Sequence, residues 1–376
     1  MRITRIGATP LLLPFREPYY WAGRCDLDAV VVLVEVETDE GMSGYGEVTG
    51  GYPPAATEAA LGEIAELFVG RSPFDIAGLC AEAYHIYGLS QAGNFANLIV
   101  GAVEMALFDI MGKALDQPVH RLLGGACRDE VDYFAFVHGR TADELVEDAR
   151  TAVADGYSVI YMKVGRGEVP DMENVAAVRD AIGDRKLRLD ANGAWSVHEA
   201  IYMLRRLARF EPEWIEQPSH TKSLAALKHV KESVPIPVAA DDIVYSLFDV
   251  YEICRQRAAD VLVLSPHETG GLLPFRKAAA IAEAAGIAIN LHGRFVTGIT
   301  DLALHCVALT LPNLTDGNQI MHQILEEDII SAPDITPTSG KLGLYDRPGF
   351  GFDLDQQAVE RAAQLYRQQS DASGGS

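Results

Sequence analysis

The sequence predicts a two-part fold: a small α+β domain followed by a barrel of parallel strands ringed by helices. Three observations carry that expectation. Eight residues able to do chemistry, His138, Lys163, Asp190, Glu216, Asp241, Ser265, His292 and Asp316, recur every 24–27 residues, about the length of one strand, loop, helix and loop. Each stands at the end of a short apolar run, with helical periodicity after it in seven of the eight units. The length of 376 residues fits one barrel of ordinary size with a smaller partner.

The first section does not read as a barrel. Residues 2–14, 28–38 and 42–48 read as strands, the last two joined by the turn Thr38-Asp39-Glu40-Gly41. Residues 55–70, 73–87 and 95–115 follow with helical periodicity, and Gln117-Pro118 and Gly124-Gly125 punctuate their end. These elements define a capping domain over residues 1–128. From Val131 onward short apolar runs alternate with helices near 141–155, 171–182, 197–209, 222–232, 247–257, 271–285 and 297–310, which assigns residues 129–325 to the barrel. The Pro- and Gly-containing segment 326–376 is expected to pack back on the capping domain, with Ser373-Gly374-Gly375-Ser376 flexible.

Bulk properties exclude some partners. A formal charge of −22 disfavours nucleic acid and anionic membrane surfaces, which need clustered Lys and Arg. The apolar run in MRITRIGATPLLLPF is too short for a signal peptide, and no stretch of about 18 uninterrupted apolar residues suggests a membrane span. Five scattered cysteines, Cys25, Cys80, Cys127, Cys254 and Cys306, read as small buried hydrophobes in a reducing cytoplasm.

The strand ends carry the chemistry. Asp190, Glu216 and Asp241 close consecutive strands, so the barrel brings three carboxylates into one cup, where they repel unless a cation joins them. A strand-end Asp also serves as a helix cap, but three in succession point to metal. All-oxygen ligands favour Mg²⁺, with Mn²⁺ the alternative. Lys163 ends the strand 159–163, and Tyr161 shares its inward face. A neighbouring divalent cation and partial desolvation both lower a lysine's pKa, which makes Lys163 a credible general base; the alternative is a lysine that only salt-bridges the carboxylates. His292, on the seventh strand, addresses the same cup from across the barrel. Asn290 and Arg294 share its face.

At this point the residues resemble the mandelate racemase/muconate-lactonizing branch of the enolase superfamily, over nearly the whole chain. Gly101–Lys113 (GAVEMALFDIMGK), Gln117-Pro118-Val119 and Leu122-Leu123-Gly124-Gly125 resemble its N-terminal signature. Asp190-Ala191-Asn192, Ile215-Glu216-Gln217-Pro218 and Ala240-Asp241-Asp242 resemble its metal motifs. The resemblance implies an α+β cap over a modified TIM barrel of (β/α)₇β type, with an even-numbered homo-oligomer. It also implies Mg²⁺ stabilising an enediolate formed by removing a proton α to a carboxylate. Two departures stand out. The family's Lys-x-Lys is here Tyr161-x-Lys163, and Ser265 holds the sixth-strand place of a second Lys or of an Asp that orients the His. Ser265 either hydrogen-bonds substrate or fills space, and His267 nearby reads as a loop or cap residue.

The reading is a small-carboxylate racemase or epimerase using Lys163 and His292. The alternative is a dehydratase of a hydroxy acid or acid sugar. A cycloisomerase follows, since the sixth-strand Lys is absent, and then a metal-binding homologue without catalysis. Tyr161, Ser265, Arg24, Tyr52 and Asp316 are the candidate substrate contacts. In this family the capping loops discriminate substrates, which points to Tyr19-Tyr20-Trp21 with Arg24 and to Thr49–Tyr52. Aromatics there suit an apolar or ring-bearing substrate and Arg24 a carboxylate.

Overall fold

The structure, a computed structural model, describes residues 1–21, 24–220 and 222–374. Three antiparallel strands, Ile3–Trp21, Arg24–Thr38 and Ser43–Val48, pair in chain order. The first two run further than the sequence suggests. Tyr19, Tyr20 and Trp21 pair with Asp26, Cys25 and Arg24, beyond a register shift between Pro14 and Tyr19. Pro14 and Pro18 lack the N–H a ladder needs, which explains the break, and Tyr-Tyr-Trp are strong strand formers, which explains the resumption. The residues expected as a loop are therefore the tip of a hairpin.

The long helix Gly93–Ala114 lies against the third strand. Gly44 and Gly46 permit this, because a Cβ at either would strike the helix carbonyls of Ala106 and Ala102. By length and composition this helix could cross a membrane, but here it is buried in the fold.

Seven parallel strands follow, each beside its predecessor: Ala135–Val137, Val159–Lys163, Lys186–Asp190, Trp214–Glu216, Val238–Ala240, Val261–Leu264 and Ala288–Leu291. The intervening helices fall where the periodicity puts them, from Ala142–Ala154 to Gly298–Ala308. The eighth position is a segment held by two parallel bridges, Leu314 to Ile289 and Asn318 to Tyr133. The Thr315 N–H donates to the Ile289 carbonyl (2.8 Å) and the Phe134 N–H to the Asn318 carbonyl (3.0 Å), which closes the ring. Strand register does the positioning: Lys163 pairs with Asp190, and Asp190 with Glu216.

The opposite end of the barrel is ionic. Arg188, fully buried, lies 3.6 Å from the Trp214 ring centroid and donates to Glu213 (2.6 Å) and Asp316 (3.0 Å). Lys186 reaches the same two carboxylates at 2.9 and 2.6 Å. Asp316 therefore belongs to the barrel floor, not to the cup where the sequence placed it.

The C-terminal helix Gln356–Gly374 packs on the first strand, while Lys341–Gly343 pairs with Glu130–Asp132 beside the barrel. Ser373 and Gly374 end that helix; Gly375 and Ser376 lie outside the described residues. All five cysteines are free, and Cys25 and Cys127 are exposed rather than buried.

Candidate active site

A cavity of about 640 Å³ opens between the hairpin and the barrel mouth. Lys163, Asn192, Asp241, Asp242, His292 and Arg294 face it from the barrel. Tyr19, Trp21, Arg24, Thr49 and Tyr52 face it from the cap, and Tyr366 comes from the last helix. Buried polar contacts dock the cap there. Glu47 accepts from the Thr297 N–H (3.1 Å) and hydroxyl, and Thr49 donates to the Phe295 carbonyl (2.8 Å). The Asn97 amide donates to the carbonyls of Tyr245 (2.6 Å) and Glu268 (2.5 Å).

Lys163 pairs with Asp190 Oδ2. Burial is the strongest influence on this lysine and pushes its pKa down. Asp190, Tyr19 and Glu216 push it up and prevail, so as long as those carboxylates are unshared the lysine stays an ammonium. Beneath it the Tyr161 hydroxyl donates to Asp190 Oδ2 (2.5 Å), with Glu216 Oε1 3.2 Å away. Asp241 is buried, and neither carboxylate oxygen has a hydrogen-bond partner. Burial and neighbouring carboxylates hold Glu216 and Asp241 well above the usual carboxylate range: Asp190 acts chiefly on Glu216, and Asp242 and Glu216 on Asp241. Such crowding of unpaired acid is what a bound cation relieves. The orphaned Asp241 oxygens and the all-oxygen set of Asp190, Glu216 and Asp241 fit a hard divalent ion.

A second group meets at the same Asp241. His292 Nδ1 stands 2.5 Å from Glu268 Oε1 and 3.1 Å from Asp241 Oδ1. Glu268 also takes Arg294 Nη2 (3.1 Å) and the Ser265 N–H (2.8 Å). Burial tends to raise this carboxylate, but His292 and Arg294 outweigh it and hold it at about 2. Ligand atoms of Asp241, Glu268 and His292 lie within 4.8 Å of one another, a spacing that would also suit a metal. Because Glu268 is already committed to three donors, we read that trio as a hydrogen-bonded network instead. Glu268 thus takes the orienting place that looked empty at Ser265.

The structure brings Lys163, His292, Asp241, Arg24 and Tyr52 to one cavity, with Asp190, Glu216 and Tyr161 packed beneath. Tyr161 and Ser265 do not line it; the Ser265 hydroxyl is buried without a partner. His138 pairs with Asp148 and Glu17, outside the cavity lining. On the eighth segment the residue at the cavity is Gln319, which accepts from the Gly293 N–H (2.8 Å). The sequence reading missed Glu268, although Ser265-x-x-Glu268 after a strand is a helix-start pattern whose Glu reaches back to the Ser N–H.

A carboxylate-lined barrel mouth under an α+β lid, with a lysine and a histidine facing one cavity, defines a class of cap-and-barrel enzyme. Residues 9–124 match the mandelate racemase/muconate lactonizing enzyme N-terminal domain, and residues 144–358 match the enolase C-terminal domain-like family. The chain belongs to the mandelate racemase/muconate lactonizing enzyme branch of the enolase superfamily. It is 28% identical over 374 residues to an N-succinyl-L-Arg/Lys racemase of Bacillus cereus, covering 96% of this chain and 97% of that one. It is 31% identical over 372 residues to muconate cycloisomerase 1 of Rhodococcus opacus, covering 96% and 98%. Among solved structures, a dipeptide epimerase from Enterococcus faecalis complexed with Mg and the dipeptide L-Leu-L-Tyr superposes with a TM-score of 0.87. That pair shares 27% identity over 94% of this chain and all of that one.

Proposed function

We propose that this chain removes the α-proton of a small carboxylate and returns one to the other face, as a racemase or epimerase. The carrying observation is that Lys163 and His292, from the second and seventh barrel strands, open into the same cavity above three buried carboxylates. Asp190, Glu216 and Asp241 would hold the cation, Mg²⁺ by their hard oxygen character. When bound, it supplies positive charge beside the substrate's carboxylate and so favours enediolate formation. The carboxylates that keep Lys163 protonated are those three ligands' own members, Asp190 and Glu216, so neutralising them frees the amine to act as base. The Cα–H bond then breaks toward Lys163 Nζ. His292 Nδ1 is committed to Glu268, which leaves Nε2 to deliver a proton to Cα. The similarity to a racemase and to an epimerase holding Mg and a dipeptide supports this reading.

The test is incubation with N-acylamino acids, dipeptides and hydroxy acids in D₂O with Mg²⁺. Deuterium entering Cα with loss of optical rotation, and no 2-oxo acid, is the expected result. Accumulation of a 2-oxo acid would instead mean dehydration. Lys163→Ala should abolish exchange of the α-proton that faces the lysine; undiminished exchange would overturn its role as base.

A further inference from the structure

We infer that Tyr161 is a positioning residue: its phenol is the neutral donor that holds Asp190 and Glu216 ready as cation ligands. This rests on the reading of those two carboxylates as ligands under Proposed function. Strand alternation puts Tyr161 on the inward face with Lys163, two residues deeper. Its ring is buried and stacks on Phe134, with centroids 4.3 Å apart and planes within 5°. The hydroxyl therefore has little freedom to swing away. It meets three groups at once: it donates to Asp190 Oδ2 at 2.5 Å, lies 3.2 Å from Glu216 Oε1, and is 3.4 Å from Lys163 Nζ.

Register explains why such a donor is useful. Asp190 and Glu216 are paired residues on adjacent strands, so their charges are forced together whether or not a cation is present. Something must keep both carboxylates from rotating apart. A lysine here would do so by adding a fixed positive charge, which would also repel the incoming cation. A phenol does it with one proton and no charge. Groups that orient metal ligands in this way are worth roughly 10- to 100-fold in metal affinity.

The experiment is calorimetric titration with Mg²⁺ alone on the full chain, comparing wild type, Tyr161→Phe and Glu216→Gln. Phenylalanine keeps the stack on Phe134 and removes only the donor. The expected result is a dissociation constant raised about tenfold or more in Tyr161→Phe, with the cation-free melting temperature moved by less than about 2 °C. A wild-type-like constant in Tyr161→Phe, with binding abolished in Glu216→Gln, would overturn the role of Tyr161 alone. Absence of Mg²⁺ binding by wild type would overturn the ligand reading and this inference with it. If Tyr161→Phe fails to fold, the near-ultraviolet tyrosine absorption of wild type decides. It should change with Mg²⁺ in step with calorimetric saturation, and should still do so in Tyr19→Phe. No change in that band would overturn the inference.

Discussion

Arg188→Met tests whether the barrel has a structural floor separate from its catalytic mouth. The guanidinium makes four hydrogen bonds, to Glu213 Oε2, the Asp316 carbonyl, Asp316 Oδ1 and the Gly317 carbonyl. Stranding one partner of a buried ion pair costs about 3–5 kcal/mol. Several features reduce that here. The side chains of Glu213 and Asp316 are 25% and 37% exposed, so water can reach them. Lys186 stays beside both carboxylates, and the Asn290 amide still donates to the Asp316 and Gly317 carbonyls at 3.2 and 3.0 Å. Methionine also fills part of the space over Trp214 without a charge to desolvate. The net loss should be about 2 kcal/mol, below the usual range for a broken buried pair. Urea unfolding followed by circular dichroism reads this as a lower midpoint with an unchanged slope. Mg²⁺ affinity should change little, because Arg188 bonds to Glu213, Asp316 and Gly317 and does not line the cavity, although Glu216 lies within its electrostatic reach. A loss under about 0.5 kcal/mol would show that desolvating Arg188 cancels its contacts, and a large change in Mg²⁺ affinity would refute the separation of floor from mouth.

Asp316→Asn should likewise leave Mg²⁺ affinity and α-proton exchange unchanged while lowering stability by less than about 1 kcal/mol, since Asp316 is partly exposed; loss of exchange would return it to the site. Glu268→Gln should cut racemisation by about 10²-fold or more through its hold on His292, yet retain deuterium exchange at the face served by Lys163, measured by NMR on each enantiomer. Saturating Mg²⁺, at about 100 times its dissociation constant, should stabilise the chain by about 2.7 kcal/mol, and Glu216→Gln should abolish that gain in a thermal melt. Glu47 is pushed up to about 8 by burial, so its folded pKa exceeds its unfolded one. Its contribution is whole below about pH 4.5 and is lost as pH rises through 8, by at most about 5 kcal/mol. Urea midpoints should therefore fall from pH 5 to pH 8.5, and Glu47→Gln should flatten that fall.

The spacing of the ladder made the barrel legible because each strand end is fixed by one apolar run and one following helix. That same rule located Lys163, Asp190, Glu216 and Asp241, whose strands pair in register. It failed at Asp316 because the eighth segment is held by only two bridges, and Leu311-Pro312-Asn313-Leu314 offers no apolar run to set a period. Gly317, at φ 56°, and the bridge at Asn318 instead carry the chain on to Gln319 at the cavity. It also failed at Glu268, which stands four residues past the end of the strand Val261–Leu264. The short helix Pro266–Thr269 turns the chain back so that this Glu reaches the Ser265 N–H and His292 together. A search confined to strand ends cannot see a residue that a helical turn returns to the same place.

The two departures from the family pattern are coupled through charge. Replacing a lysine by Tyr161 removes one positive charge from the barrel mouth, where Asp190, Glu216, Asp241 and Asp242 already crowd. Ser265, in the orienting residue's place, adds none of either sign. Glu268 does add a negative charge, but it is buried with Arg294 and His292 as its own partners. The result is a mouth with two charge groupings that meet at Asp241, whose Oδ1 lies 3.1 Å from His292 Nδ1. One is short of positive charge and holds Lys163; the other is internally balanced and holds His292. The Glu268–Arg294 pair therefore bears most directly on the proposed role of His292, and metal loading on that of Lys163. Arg294→Met should accordingly alter transfer at the His292 face more than it alters Mg²⁺ affinity. Equal losses in both would show that the two groupings act as one.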